Sequence, residues 1–215
     1  MNALLLPGSH MTSQIWNQLK MEMPEINQSE FVNYPHEVTG TSKSVEDIAS
    51  WVYETYKHRS FDYLIGHSMG GLIALVLAAT YRMPCKSVIL IESNLRPAAE
   101  FYRNLLLLKH RPAFGDQVMD MIRAENPFYH DALKKTVKEN FDYTRYVHKT
   151  EAIIFGIYGD RGVLDHPGRI SDLNLDQNTI GRIRFRFVKD ACHLPMIENP
   201  KGLAHSLLEC IAESV

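Results

Sequence analysis

Apolar and polar positions along the chain fall into two alternating patterns. Short apolar runs, Ala3 to Leu6, Tyr63 to Ile65, Ser87 to Ile91 and Ile153 to Tyr158, predict buried strands, and Phe31 to Tyr34 and Ile183 to Val188, interrupted by Asn33, Arg184 and Arg186, predict two more strands. Between them lie stretches with apolar residues at helical spacing. Ile15, Trp16 and Leu19 predict a helix over 12–20, and Val45, Ile48, Ala49, Val52 and Tyr56 predict one to about residue 59. The second should start at Ser44, an N-cap followed by Glu46 and Asp47 in the first turn. Asn199-Pro200 marks the start of a closing helix carrying Leu203, Leu207, Leu208 and Ile211.

Strand and helix alternating in this way predict an α/β fold: a mostly parallel six-stranded sheet with helices on both faces. The rhythm breaks over 96–149, where helical patterns at 98–109, 116–124 and 131–140 come with no convincing strand. Residues 1–95 and 150–215 therefore read as one core, and 96–149 as a helical cap inserted into it.

The run from Tyr63 to Ala79 carries the chemistry. An apolar strand enters Gly66-His67-Ser68-Met69-Gly70-Gly71, and a long apolar helix leaves it. A G-x-S-x-G pentapeptide alone is weak, since chance supplies one in roughly one chain in fifteen of this length. Its context is stronger, because a strand-to-helix turn holds the Ser68 hydroxyl outside the sheet. A serine needs a base, and the base an orienting group. In parallel sheets these gather at the carboxyl ends of strands. His193 follows the last strand by a short loop and is the expected base. Asp160, after the fifth strand, is the leading acid; Asp165 nearby and Glu92, which ends the fourth strand, are alternatives. Backbone N–H groups of Met69 and Ser9 are the expected oxyanion donors, the latter from the glycine loop after the first strand. His67, beside the serine, reads as structural support.

Composition narrows the partners. The 215-residue chain is 45% hydrophobic and 22% charged with net charge −2, ordinary for one globular domain and without attraction for nucleic acid. No apolar run approaches the 18 or so residues that span a bilayer, and the apolar start runs into Pro7-Gly8 without a basic flank, so neither a membrane span nor a signal peptide is expected. Three cysteines, Cys85, Cys192 and Cys210, lack metal-type spacing, which fits a reducing cytoplasm with no zinc site and no disulfide framework. Cys192 reads as a packing residue.

Four ordered motifs resemble the α/β-hydrolase superfamily, in its small esterase, lipase and lyase branch. Leu4-Leu5-Leu6-Pro7-Gly8 with Trp16 resembles its oxyanion segment, and Gly66 to Gly71 its nucleophile elbow. Tyr158-Gly159-Asp160-Arg161 resembles its acid, and His193 to Pro200 its histidine and last-helix start. The order Ser68, Asp160, His193 is the order of that family. Two departures stand out: Pro7-Gly8 replaces the His-Gly of many members, and the family's first two strands are absent. The second implies a shortened sheet edge that a homodimer partner could cover.

The resemblance implies a carboxylic ester hydrolase working through a Ser68 acyl-enzyme without a metal or cofactor. A thioesterase, a triad-bearing lyase and a non-catalytic binder are the other classes it leaves open. Aromatic and apolar residues of 96–149, Phe101, Met119 and Phe128 among them, are expected to line an acyl or aromatic pocket, with His10 a further substrate contact. The same segment holds ten Lys or Arg against seven Asp or Glu. That excess reads first as a solvated face. The resemblance to pimeloyl-carrier-protein methyl ester esterases adds an acidic acyl carrier protein as a partner, docking on Arg96, Arg103 and Arg111.

Overall fold

The computed structural model describes residues 1–138 and 140–214. Its centre is a sheet of six strands, all parallel: β1 (Ala3–Leu6), β2 (Glu30–Phe31), β3 (Tyr63–His67), β4 (Ser87–Ile91), β5 (Ile153–Gly159) and β6 (Ile183–Val188), in the spatial order β2-β1-β3-β4-β5-β6. The expectation of a mostly parallel sheet is thus sharpened, since every pairing is parallel. β3 and β4 lie in the middle and are buried along their whole length, as their unbroken apolar runs require.

Alternate side chains feed two cores. Leu4, Leu6, Leu64, Val88 and Leu90 pack on one face, against helices α3 (Val45–Tyr56) and α4 (Met69–Ala79), which follow the short helices α1 (Asn17–Glu22) and α2 (His36–Thr41) in the chain. Leu5, Ile65, Ile89, Phe155 and Ile157 pack on the other, against the N-terminal helical turns and the closing helix, Pro200–Ala212. Helices therefore cover both faces. α4 is buried on every side, which is why its sequence is apolar all round rather than amphipathic.

Local signals landed where the chemistry of caps places them. Ser44 and Asp47 form a reciprocal capping box at α3. Asn199 accepts from the Gly202 N–H at the head of the closing helix. The Phe31 to Tyr34 strand is shorter than expected: only Glu30–Phe31 pairs with β1, after which Pro35 ends the run and Tyr34 donates its hydroxyl to the Pro7 carbonyl. The helix expected over 12–20 splits into a 3-10 turn, Ser13–Trp16, and a short α-helix, Asn17–Glu22.

Between β4 and β5 the described residues of 96–149 contain helices and turns and no strand. The longest helix is Arg111–Glu125, followed by Asp131–Thr136 and Thr144–Val147. Residue 139, within the helix expected over 131–140, lies outside the described residues. Among the described residues no helix is long and apolar enough to cross a membrane.

Candidate active site

Ser68 is the first residue after β3 and the N-cap of α4, with φ 51° and ψ −119°. A non-glycine residue in that region is strained by about 1–3 kcal/mol, which the surrounding structure must over-determine. It does so through close backbone approach. A Cβ on Gly66 would lie 2.2 Å from the Gly70 carbonyl carbon, and one on Gly70 would lie 2.1 Å from the Leu6 carbonyl oxygen. Only glycine fits either position, so strand, turn and helix interlock and the serine is left at the crest. Met69 opens α4, and its N–H, the first of the helix, has no acceptor within the helix.

The next two strands end in the same plane. The Ser68 N–H donates to Ile91 O of β4, and the Glu92 N–H to Ile157 O of β5, each at 2.9 Å. Glu92 also has a left-handed φ of 51°. Its carboxylate is fully buried, and it is this group that meets the histidine: Oε2 lies 3.4 Å from His193 Nδ1. Arg161 grips the same carboxylate from the far side, Nη1 to Oε1 at 2.6 Å and Nη2 to Oε2 at 2.5 Å, and the Gly159 N–H adds a third donor at 2.5 Å. Burial pushes the Glu92 carboxyl up. The charge and hydrogen bonds of Arg161, followed by those of His193, outweigh it and hold the group below the usual carboxylate range. Burial disfavours the Arg161 charge in turn, and Glu92 more than restores it.

Asp160 does not fill the place expected of it. Its Oδ1 accepts the N–H groups of Gly162 at 2.8 Å and Asp190 at 2.7 Å, tying the turn after β5 to the loop before His193. Among the described residues it forms no hydrogen bond or ion pair with His193. Asp165 is exposed and pairs with Arg169. Of the three carboxylates weighed from the sequence, Glu92 alone reaches the histidine.

The loop carrying His193 is fixed from two directions. His67 is wholly buried and its Nε2 donates to the His193 carbonyl oxygen at 2.8 Å. Burial, then the neighbouring His193, lowers the His67 pKa to about 3, so the ring is neutral. Its position beside Ser68 supports the histidine loop rather than touching the reacting atoms. Glu198 accepts the Cys192 N–H at 2.6 Å and the Leu107 N–H at 2.7 Å, joining the same loop to the segment after β4. Cys192 is buried and its thiol is pushed up to about 12, as a packing residue should be.

Ser68, Met69, Glu92 and His193 all open onto one cavity of about 630 Å³. Asn94, Tyr102, Arg103, Val137, Lys138 and Phe141 complete much of its wall. The expected pocket residues are elsewhere. Phe101 stacks on His166 and lines a separate small cavity beside Asp160. Phe128 is 42% exposed and stacks on His36, and Met119 is 38% exposed on the outer face of its helix. Aromatic content marked the right segment, but the faces of its helices could not be told apart by periodicity. The wall takes Tyr102 and Phe141 from the aromatic residues of the same segment, and Val137, which the sequence did not single out.

The loop after β1 abuts the elbow. A Cβ on Gly8 would lie 3.2 Å from the Ser68 Cβ, and the Met11 N–H closes a turn onto Gly8 O at 3.2 Å. Ser9 Oγ is 2.9 Å from His10 Nδ1. His10 is buried against Tyr129, with ring centroids 4.3 Å apart, and is not in the cavity wall. Burial, reinforced by the fields of Lys138 and Lys134, lowers its pKa to about 4.

A strand-crest serine, a histidine from the loop after the last strand and a buried carboxylate facing one cavity on an all-parallel sheet define the class. A sequence profile of the alpha/beta hydrolase fold family matches residues 11–134, more than half of the chain, and the chain belongs to that family. Solved structures resemble it over nearly its full length at low identity. An esterase from Thermogutta terrifontis with malate bound is 19% identical, covering 100% of this chain and 90% of its own, with a TM-score of 0.71. A bromoperoxidase from Bacillus anthracis is 14% identical over 98% and 91%, with a TM-score of 0.74. A structure from work on carboxylesterases of the thaumarchaeon Nitrososphaera gargenis is 15% identical over 99% and 90%, with a TM-score of 0.67. No curated protein matches the chain.

Proposed function

We propose that the chain is a serine hydrolase of carboxylic esters. The single observation that carries this reading is the convergence of Ser68, His193 and the Arg161-held Glu92 on one cavity.

In this mechanism His193 Nε2 takes the Ser68 proton as Oγ attacks the ester carbonyl carbon. The carbonyl oxygen becomes an oxyanion facing the N–H groups of Met69 and Ser9. Collapse of the tetrahedral species breaks the bond to the alcohol oxygen, which leaves with the proton from His193. Water then repeats the sequence on the Ser68 acyl-enzyme, and the acid is released. Glu92 holds the imidazole with Nδ1–H towards it and stabilises the imidazolium formed in each half. A 3.4 Å contact in the free enzyme is compatible with tightening in the substrate complex.

A fluorophosphonate probe and a chain-length series of aryl esters test this reading. A covalent adduct on Ser68 together with ester turnover that is lost in Ser68→Ala is expected. No adduct on folded protein contradicts it, and an adduct without ester turnover would mean that the triad serves another reaction.

A further inference from the structure

We infer that the ester taken by this site bears an oxyanionic group, a carboxylate or a phosphate, which Arg103 and Lys138 bind where the cavity meets solvent. The inference rests on the ester hydrolase reading and adds the substrate class.

Segment 96–149 holds ten Lys or Arg, and five of them are already paired. Arg96 pairs with Asp142, Lys109 with Asp190, Arg123 with Asp120, Lys134 with Asp131 and Arg145 with Glu46. Of the five others, which belong to none of the ion pairs among the described residues, Arg103 and Lys138 are the two in the wall of the Ser68 cavity. They come from separate stretches of the chain, before and after the long helix, yet they line the same cavity as Ser68. Among the described residues Arg103 makes only long contacts of 3.4 Å, to the Ala98 carbonyl, which leaves its guanidinium able to take a carboxylate or phosphate. Both side chains belong to exposed residues, which puts them at the open edge of the site.

Among the described residues lining the cavity Glu92 is the only acidic one, and Arg161 already neutralises it. The cavity therefore presents two unbalanced positive charges at its rim, with apolar Leu72, Val137 and Phe141 also in its wall. An ester with a charged end and an apolar spacer matches this distribution, whereas a plain aliphatic ester leaves the rim unsatisfied.

The test compares esters differing only in charge. Monoethyl esters of C4 to C8 dicarboxylic acids are set against the matching uncharged half-amides, and 2-phosphoethyl hexanoate against 2-hydroxyethyl hexanoate. The two sets distinguish a carboxylate on the acyl side from a phosphate on the alcohol side. In at least one set the charged ester is expected to have the higher kcat/KM by about tenfold or more at low ionic strength, with the preference shrinking as salt rises. In the Arg103→Gln/Lys138→Gln protein that ratio should fall towards one. Equal kcat/KM for charged and uncharged esters in the wild type overturns the inference, as does a preference the double variant keeps. Turnover confined to an ester carried on an acidic protein also overturns it. If no ester is turned over, the hydrolase reading fails on its own. Calorimetric binding of monoethyl adipate and its half-amide to Ser68→Ala then decides the anion site separately: tighter binding of the anion, lost in the double variant, upholds it, and equal binding ends it.

Discussion

Glu92 Oε2 lies 3.4 Å from His193 Nδ1 while Arg161 holds both oxygens of the same carboxylate. The proposed catalytic acid is thus one half of a buried ion pair, and its charge is shared between a guanidinium and an imidazole. Breaking such a pair leaves an uncompensated buried charge, which costs about 3–5 kcal/mol.

Arg161→Gln should therefore destabilise the protein by about that amount, read from urea unfolding at pH 7. It should also move the acidic limb of the kcat/KM profile to higher pH. Without the guanidinium the Glu92 carboxyl loses the group that holds it low, which keeps a proton on the site at higher pH. An unchanged profile would show that Arg161 is structural only.

The same pair sets a sign for acid stability. The folded-state pKa of Glu92 is depressed, so its contribution to stability is present above the unfolded carboxyl value and is lost as pH falls through the lower folded value. Unfolding free energy should decline more steeply below about pH 4.5 in the wild type than in Glu92→Gln, which has no such proton to bind. Parallel curves would contradict the assignment.

His67→Phe removes the N–H that the His193 carbonyl accepts and leaves a buried acceptor unsatisfied, at about 1–3 kcal/mol. Loosening of the histidine loop should lower kcat by about ten- to a hundredfold, a loss of the size seen when supporting geometry shifts by an ångström. Because the ring is neutral above about pH 4, the shape of the pH profile in the wild type should owe nothing to His67. Steady-state rates from pH 5 to 9 on both proteins check the two statements.

At Ser68 the backbone favours glycine. Ser68→Gly should be more stable than Ser68→Ala by about 1 kcal/mol although both are inactive, because alanine retains the strained φ and glycine relieves it. Equal melting temperatures for the two would mean that the elbow is not strained in solution.

Much of this was legible from the chain. The six expected strands are present, the second cut down to Glu30–Phe31, the Ser44 box capped its helix, and Ser68 and His193 sit at one cavity because strand ends converge in a parallel sheet. The acid was ambiguous for a physical reason. Glu92 and Asp160 are both first residues after apolar strands, and period and spacing treat them alike. What separates them is Arg161, a residue 7% exposed that follows Asp160 yet pairs across to Glu92. A buried arginine demands a buried carboxylate, and which one cannot be read until the strands are side by side. The pocket wall was missed for a different reason: Tyr102 lies in a 3-10 turn and Val137 and Phe141 lie outside the helices, where no long period shows which face points inward.

The comparison that bears most directly on the triad is between Glu92→Gln and Asp160→Asn, assayed by kcat on the same aryl ester with folding checked by circular dichroism. Glu92→Gln is expected to lose about 10⁴-fold in kcat, the scale of losing the group that orients a catalytic histidine, and Asp160→Asn only a few-fold. The reverse pattern, a folded Asp160→Asn protein that is inactive beside an active Glu92→Gln, would contradict the assignment of Glu92 and return the role to Asp160.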